Sequence, residues 1–324
     1  MDDSVATFFD QTSQDHPTSI FSTGSLRLDI ALGIGGIPGG TIVEFNGPEA
    51  GGKTTLAYHL IAAAQKSGGV CAFIDSDRAF NPGFARKCGV KVEQLYFSQP
   101  GHAEQAFDIL STLAATGAFS ILALDSLSAL VPYQELISPF CGPADKTGGD
   151  PLETDLELLA HSLRRLSSIL RRTGATVLFT SQTDRRMSTI YHQLAAHPAR
   201  LALKLNASIR LRLAPLSNLI SGGEVVGARI QARVIKNKFS PCLQPIDFDI
   251  IHHQGIDKTG EVLDLGVHCK LIQQKNNGIY FQSERLGKTS SEALRFLNQD
   301  IIVRNDIEKA IRQLLIPDIH TAAT

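Results

Sequence analysis

One short stretch constrains this chain more than any other: Gly47-Pro48-Glu49-Ala50-Gly51-Gly52-Lys53-Thr54-Thr55, set between two apolar runs. The residues before it, "TIVEF", predict a buried strand. Those after it, "TTLAYHLIAAAQK", predict a helix, because apolar positions recur at helical spacing. Glycines at such a junction let the backbone approach a ligand closely. A lysine followed by a hydroxyl residue, opening a helix, suits phosphate and Mg²⁺. The spacing Gly47-x4-Gly52-Lys53-Thr54 is the phosphate-loop pattern, and the strand before and helix after are the context it needs. A plain glycine-rich loop is the competing reading.

Further strand-like runs follow in alternation with helical stretches: "VCAFID" (70–75), "LYFS" (95–98), "SILALD" (120–125) and "TVLFTS" (176–181). That alternation predicts an α/β fold with a mostly parallel central sheet and helices on both faces. The runs "ASIRLRL" (207–213), "VVGARIQARVIKNK" (225–238) and "PIDFDII" (245–251) come without helices between them and predict an antiparallel extension of that sheet. The expected organisation is a poorly ordered tail over 1–20, a core over 21–257 and a small C-terminal α/β domain over 258–324. Two loops are expected, over 138–153 and 184–200.

Composition limits the partners. Of 324 residues, 43% are hydrophobic, enough for a sizeable core, and 31 basic against 32 acidic residues leave a net charge of -1. Contact with nucleic acid must then come from local basic patches. The five cysteines (71, 88, 141, 242, 269) show no metal-ligand spacing and point to free thiols in a reducing cytoplasm. The first twenty residues have no apolar core of signal-peptide type, and no run is long enough to span a membrane. The expectation is a soluble cytoplasmic protein.

"ILALD" puts Asp125 at the C-terminal end of a buried strand, where parallel sheets bind ligands. Its carboxylate is placed to hold Mg²⁺ together with Thr54, or else to cap the following helix. Asp75 and Asp77 end another strand, and one of them is a candidate to activate an attacking water. Gln182, closing "FTSQ", is placed to feel a γ-phosphate.

Taken together, "STGSLRLDIALGIGGIPGGTIVEFNGPEAGGKTTL", "CAFIDSDRAFNPGFARKCGV", "ALDSLSALVP", "VIKNK" and "GEVLDLGVHCKLI" resemble the bacterial RecA recombinase family, block by block and in order, from about Ser22 to Leu315. The resemblance implies a RecA-type ATPase core that uses ATP and Mg²⁺. It implies that Lys53 and Thr54 meet the phosphates and Mg²⁺, that Asp125 supports the metal, and that Gln182 is the γ-phosphate sensor. Phe84 falls where the family stacks a ring on adenine. Lys236 and Lys238 match lysines that reach a neighbouring protomer's ATP in a head-to-tail oligomer. Arg164 matches an arginine that faces single-stranded DNA.

The chain also departs from the family. Asp77 stands where the family has a water-activating glutamate, one methylene longer, which implies slow hydrolysis. Asn81 replaces an adenine-side aspartate. Glu157 and Asp184 replace basic residues near DNA, and "LAAHPARLALK" lacks the glycines of the second DNA loop. Arg185, Arg186 and Arg200 remain as a rearranged basic site. The residues before Ser22 offer no basic docking helix. Two functions are compatible with this: a DNA-dependent ATPase of recombination or repair, working with itself or with another recombinase, and a nucleotide-switched assembly module that binds a protein partner with little hydrolysis.

Overall fold

The computed structural model describes residues 19–131, 133, 151–183, 203–241, 244–275 and 277–316, without the side chains of 151–160. Strand β1 (Ile20–Phe21), helix α1 (Leu26–Ala31) and strand β2 (Ile37–Pro38) lead into β3 (Ile42–Gly47) and helix α2 (Lys53–Lys66). Then come β4 (Val70–Asp75), α3 (Pro82–Lys87), β5 (Leu95–Ser98), α4 (Ala103–Ala115) and β6 (Phe119–Asp125). A long helix, Pro151–Thr173, precedes β7 (Thr176–Gln182), β8 (Ile209–Ser221), β9 (Glu224–Asn237), β10 (Ile246–Ile251) and β11 (Gly255–Ile256).

Nine of these strands form one sheet in the order β11-β10-β9-β8-β3-β7-β6-β4-β5. From β8 to β5 every pairing is parallel, while β9, β10 and β11 add antiparallel neighbours. The α/β architecture expected from the alternating runs is present, including the antiparallel extension.

The sheet is buried on both faces. On one, Leu56, Leu60 and Ile61 of α2 pack on Val43, Phe45, Phe73 and Leu211. On the other, Leu110 of α4 and Leu163, Leu166 and Leu170 of the long helix cover Ile42, Ile74, Leu124 and Phe179. Each such side chain withdrawn fully from water contributes roughly 1.5–3 kcal/mol before chain entropy is set against it. This two-sided burial fixes the strand ends, and with them the site.

Two local differences from the sequence reading have physical causes. The β8–β9 pair runs well beyond 213, to Ser221, although "PLSNLIS" has little strand character. Cross-strand pairing with β9 carries it, and Gly222 and Gly223, both at positive φ (61° and 87°), make the two-residue turn such a hairpin needs. The loop expected over 138–153 already gives way to helix at Pro151, since proline is accommodated in a helix's first turn. Residues 138–150 lie outside the described residues.

Beyond β11, helix Lys258–His268 precedes a three-stranded antiparallel sheet, β12 (Ile272–Lys275), β13 (Gly278–Phe281) and β14 (Glu284–Gly287), and helices Ser290–Gln299 and Ile301–Leu315. Val262, Phe281, Leu297 and Ile307 build a third core here, and Leu26 of α1 inserts into it. No described helix is long and apolar enough to cross a membrane.

Candidate nucleotide site

The loop between β3 and α2 is shaped by close backbone approach. A Cβ on Gly47 would lie 2.0 Å from the Leu213 carbonyl oxygen of β8. Gly52, at φ 81°, is the N-cap of α2, and no side chain caps that helix. The first N–H groups of α2 therefore lack both intrahelical acceptors and a capping side chain, and the helix dipole adds positive potential there. This arrangement fits an anion of phosphate type.

Lys53 is buried, and its Nζ donates to the carbonyls of Gly47 (3.0 Å) and Pro48 (2.7 Å). Burial pulls the ammonium below the usual lysine range, while Asp125, Asp77 and Glu49 act in the opposite direction. A charged donor held only by neutral carbonyls is ready to exchange them for a phosphate oxygen.

Asp125 ends β6, where the two-sided core leaves its carboxylate only 7% exposed. Thr54 Oγ1 donates to its Oδ2 at 2.6 Å, and Thr180 Oγ1 of β7 donates to Oδ1. Burial raises the Asp125 carboxyl above the ordinary carboxylate range, opposed by these two hydroxyls. Its side chain does not cap the short helical turn that follows, whose N-cap is Ser126. A hydroxyl and a carboxylate joined at the mouth of the loop are hard oxygen donors of the kind Mg²⁺ takes.

The acids ending β4 separate. Asp75 is buried and spent on structure, accepting from the N–H groups of Ala79 and Phe80 and from Gln99 Nε2 at 3.0–3.2 Å. Asp77 is exposed and accepts from Ser126 Oγ at 3.1 Å, and its N–H bonds the Asp125 carbonyl. Of the two, Asp77 alone has a carboxylate with room to meet a water. Gln182 is half-buried; its backbone is the register partner of Gly47 and its N–H donates to Ser128 Oγ at 2.9 Å.

Other predicted residues are placed with less assembled around them. Phe84 on α3 sits edge-on to Tyr58, ring centroids 6.2 Å apart, and is half-buried against the main core. Asn81 caps α3, accepting from the Phe84 N–H at 2.9 Å. Lys236 donates to the carbonyls of Lys204 (2.9 Å) and Leu205 (3.1 Å), and Lys238 is exposed just past β9. Arg164 is exposed on the helix Pro151–Thr173. Arg185, Arg186, Arg200 and Asp184, with the Glu157 side chain, lie outside the described residues.

Sequence reasoning missed Thr180, Ser126, Ser128 and Glu44. A polar residue inside a run read as apolar was the available signal, in "VLFTSQ" for Thr180 and in "TIVEF" for Glu44.

Comparison with known proteins settles the family. The model of the RecA N-terminal domain matches residues 2–257. This chain belongs to the RecA family. It is 39% identical over 294 residues to Protein RecA of Roseiflexus castenholzii, covering 90% of this chain and 81% of that protein. To Protein RecA of Rhodopseudomonas palustris it is 41% identical over 293 residues, covering 90% and 82%. A solved structure, that of the RadB recombinase, superposes with a TM-score of 0.51 over 73% of this chain and 98% of its own, at 24% identity, and shares the fold. RecA family members are recombination and repair ATPases, and that general class applies here.

Proposed function

We propose that this chain binds ATP with Mg²⁺, hydrolyses it slowly, and couples it to single-stranded DNA in recombination or repair, in head-to-tail assemblies with itself or beside another recombinase. The observation that carries this is the convergence at one strand end of the uncapped α2 loop, Lys53, and the Thr54–Asp125–Thr180 set. In this reading Lys53 and the α2 N–H groups hold the phosphates. Thr54 and Asp125 hold Mg²⁺, which when bound neutralises charge developing on the phosphoryl oxygens. Asp77 orients the water, and Gln182 reports the γ-phosphate through its backbone contact with Gly47.

Arg164, Arg185, Arg186 and Arg200 supply cations for the DNA backbone, and Lys236 and Lys238 the contact to a neighbour's nucleotide. The acids at Glu157 and Asp184 favour the second reading, a nucleotide-switched assembly module. ATP hydrolysis measured with and without single-stranded DNA, at low and moderate salt, separates them. Stimulation that fades with salt supports the recombinase reading; a rate indifferent to DNA supports the switch.

A further inference from the structure

Two turns meet beside the phosphate loop, one leaving β4 and one leaving β6, and hydrogen bonds join them. The strands are parallel neighbours whose register pairs Asp75 with Asp125, so the turns leave the sheet side by side. The N–H groups of Ser76 and Asp77 donate to the Asp125 carbonyl at 2.9 and 3.3 Å, and Ser76 Oγ donates to the Ser126 carbonyl at 2.7 Å. A further bond runs the other way, from Ser126 Oγ to Asp77 Oδ1 at 3.1 Å.

Local structure does not use the Ser126 hydroxyl. Ser126 is the N-cap of the short helical turn Leu127–Ala129, yet its side chain makes no capping bond, and it is the Ser126 carbonyl that accepts from the Ala129 N–H at 3.2 Å. Ser126 is also only 1% exposed, so water scarcely competes for the proton it gives to Asp77. Asp77, by contrast, is exposed, and a carboxylate on a turn has two side-chain torsions about which to rotate. Its charge bears on both Lys53 and Asp125, so it lies on the side of the nucleotide loop. With Oδ1 engaged by Ser126, Oδ2 has no protein donor among the described residues.

We propose that Ser126 is a positioning residue for ATP hydrolysis: it holds Asp77 through Oδ1 and leaves Oδ2 to accept a hydrogen bond from the attacking water. Ser126 acts through Asp77 and meets neither nucleotide nor water. A charge-assisted hydrogen bond from a buried donor restricts the carboxylate's orientation. Orientation matters because a misplacement of about 1 Å at a reacting centre can cost on the order of 10²-fold. The inference rests on the reading of Asp77 above, and its test separates the two.

Single-turnover ATP hydrolysis and affinity for a non-hydrolysable ATP analogue, both with Mg²⁺, are measured for the parent, Ser126→Ala, Asp77→Ala and the double variant. Ser126→Ala should hydrolyse about tenfold more slowly than the parent, while binding the analogue within about threefold of it. Urea unfolding of the same proteins without nucleotide reads the bond itself. The two substitutions should be non-additive by about threefold or more in the unfolding constant. Ser126→Cys, close in shape but a weak donor, serves if Ser126→Ala fails to fold and should show the same loss of rate. Parent-like hydrolysis in the folded variant, an affinity loss as large as the rate loss, or additive unfolding effects overturn the inference; an inactive Asp77→Ala then leaves the role of Asp77 standing. Full turnover in folded Asp77→Ala overturns that role and the inference with it.

Discussion

Thr54 Oγ1 lies 2.6 Å from Asp125 Oδ2, so the first turn of α2 and the end of β6 are tied together where the phosphate loop opens. Thr180 holds the other carboxylate oxygen from β7. The carboxylate is thereby oriented by hydroxyls on both sides before any cation reaches it.

Removing Thr180's hydroxyl should loosen that orientation. Thr180→Val leaves a buried charged acceptor short of one donor, which costs roughly 1.5–3 kcal/mol. Urea unfolding should show that loss, and Mg²⁺ titration of hydrolysis should need a higher concentration for half-maximal rate. An unchanged Mg²⁺ requirement would separate Thr180 from the metal site.

Asp77 carries the second prediction. Its carboxylate is exposed, and in the proposed reading it does the work of a glutamate one methylene longer; a misplacement of about 1 Å can cost on the order of 10²-fold. Asp77→Glu should raise ATP turnover, and Asp77→Ala should abolish it with nucleotide binding intact. Single-turnover assays decide, and full turnover in Asp77→Ala would place the acid elsewhere.

How much of this was legible in the sequence depends on where each signal lay. The loop from Gly47 to Thr55 and the strand ending in Asp125 announce themselves locally, because glycine spacing and apolar runs are properties of neighbours in the chain. Thr180 showed only as a polar residue inside an apolar run, since its role arises only when β7 pairs beside β6 and aims the hydroxyl at Asp125. From the strand pattern alone Asp75 and Asp77 looked equivalent, and only the resemblance singled out Asp77; the turn at 76–80 consumes Asp75's oxygens, while Asp77 stays exposed with one bond from Ser126 Oγ. The hairpin from Pro215 to Val225 was hidden for a related reason, because cross-strand pairing overrides weak local propensity.

A pH dependence follows from Glu261. Its carboxylate, buried at the start of α1, accepts from Ser25 Oγ (2.7 Å) and from the N–H groups of Leu26 (2.6 Å) and Arg27 (3.3 Å). Burial nevertheless lifts the carboxyl from 4.5 to about 7. Because the folded value lies above the unfolded one, the protonated form favours the fold. Its contribution is complete below about pH 4.5 and is lost as pH rises through about 7, by about 3 kcal/mol at most. Urea unfolding across that range should show the decline, and Glu261→Gln should flatten it. A slope retained in Glu261→Gln would assign it to another group.

DNA affinity is the fourth test. Glu157 lies on the helix Pro151–Thr173, and the proposed reading puts it where the resemblance implies a cation. Glu157→Arg should tighten single-stranded DNA binding and steepen its salt dependence by roughly 0.7 per phosphate newly neutralised. Salt titrations of an oligonucleotide would show it; unchanged affinity and slope would mean that this helix does not face DNA.

The central claim is that Gly47 to Thr54 and Asp125 form an ATP site, and direct binding tests it most simply. ATP affinity is to be measured with Mg²⁺ for the parent chain and for Lys53→Ala, with circular dichroism confirming that both are folded. The parent should bind and the variant should lose measurable affinity, since Lys53 is the cation inside the loop. Equal ATP binding by the folded Lys53→Ala protein would contradict the account.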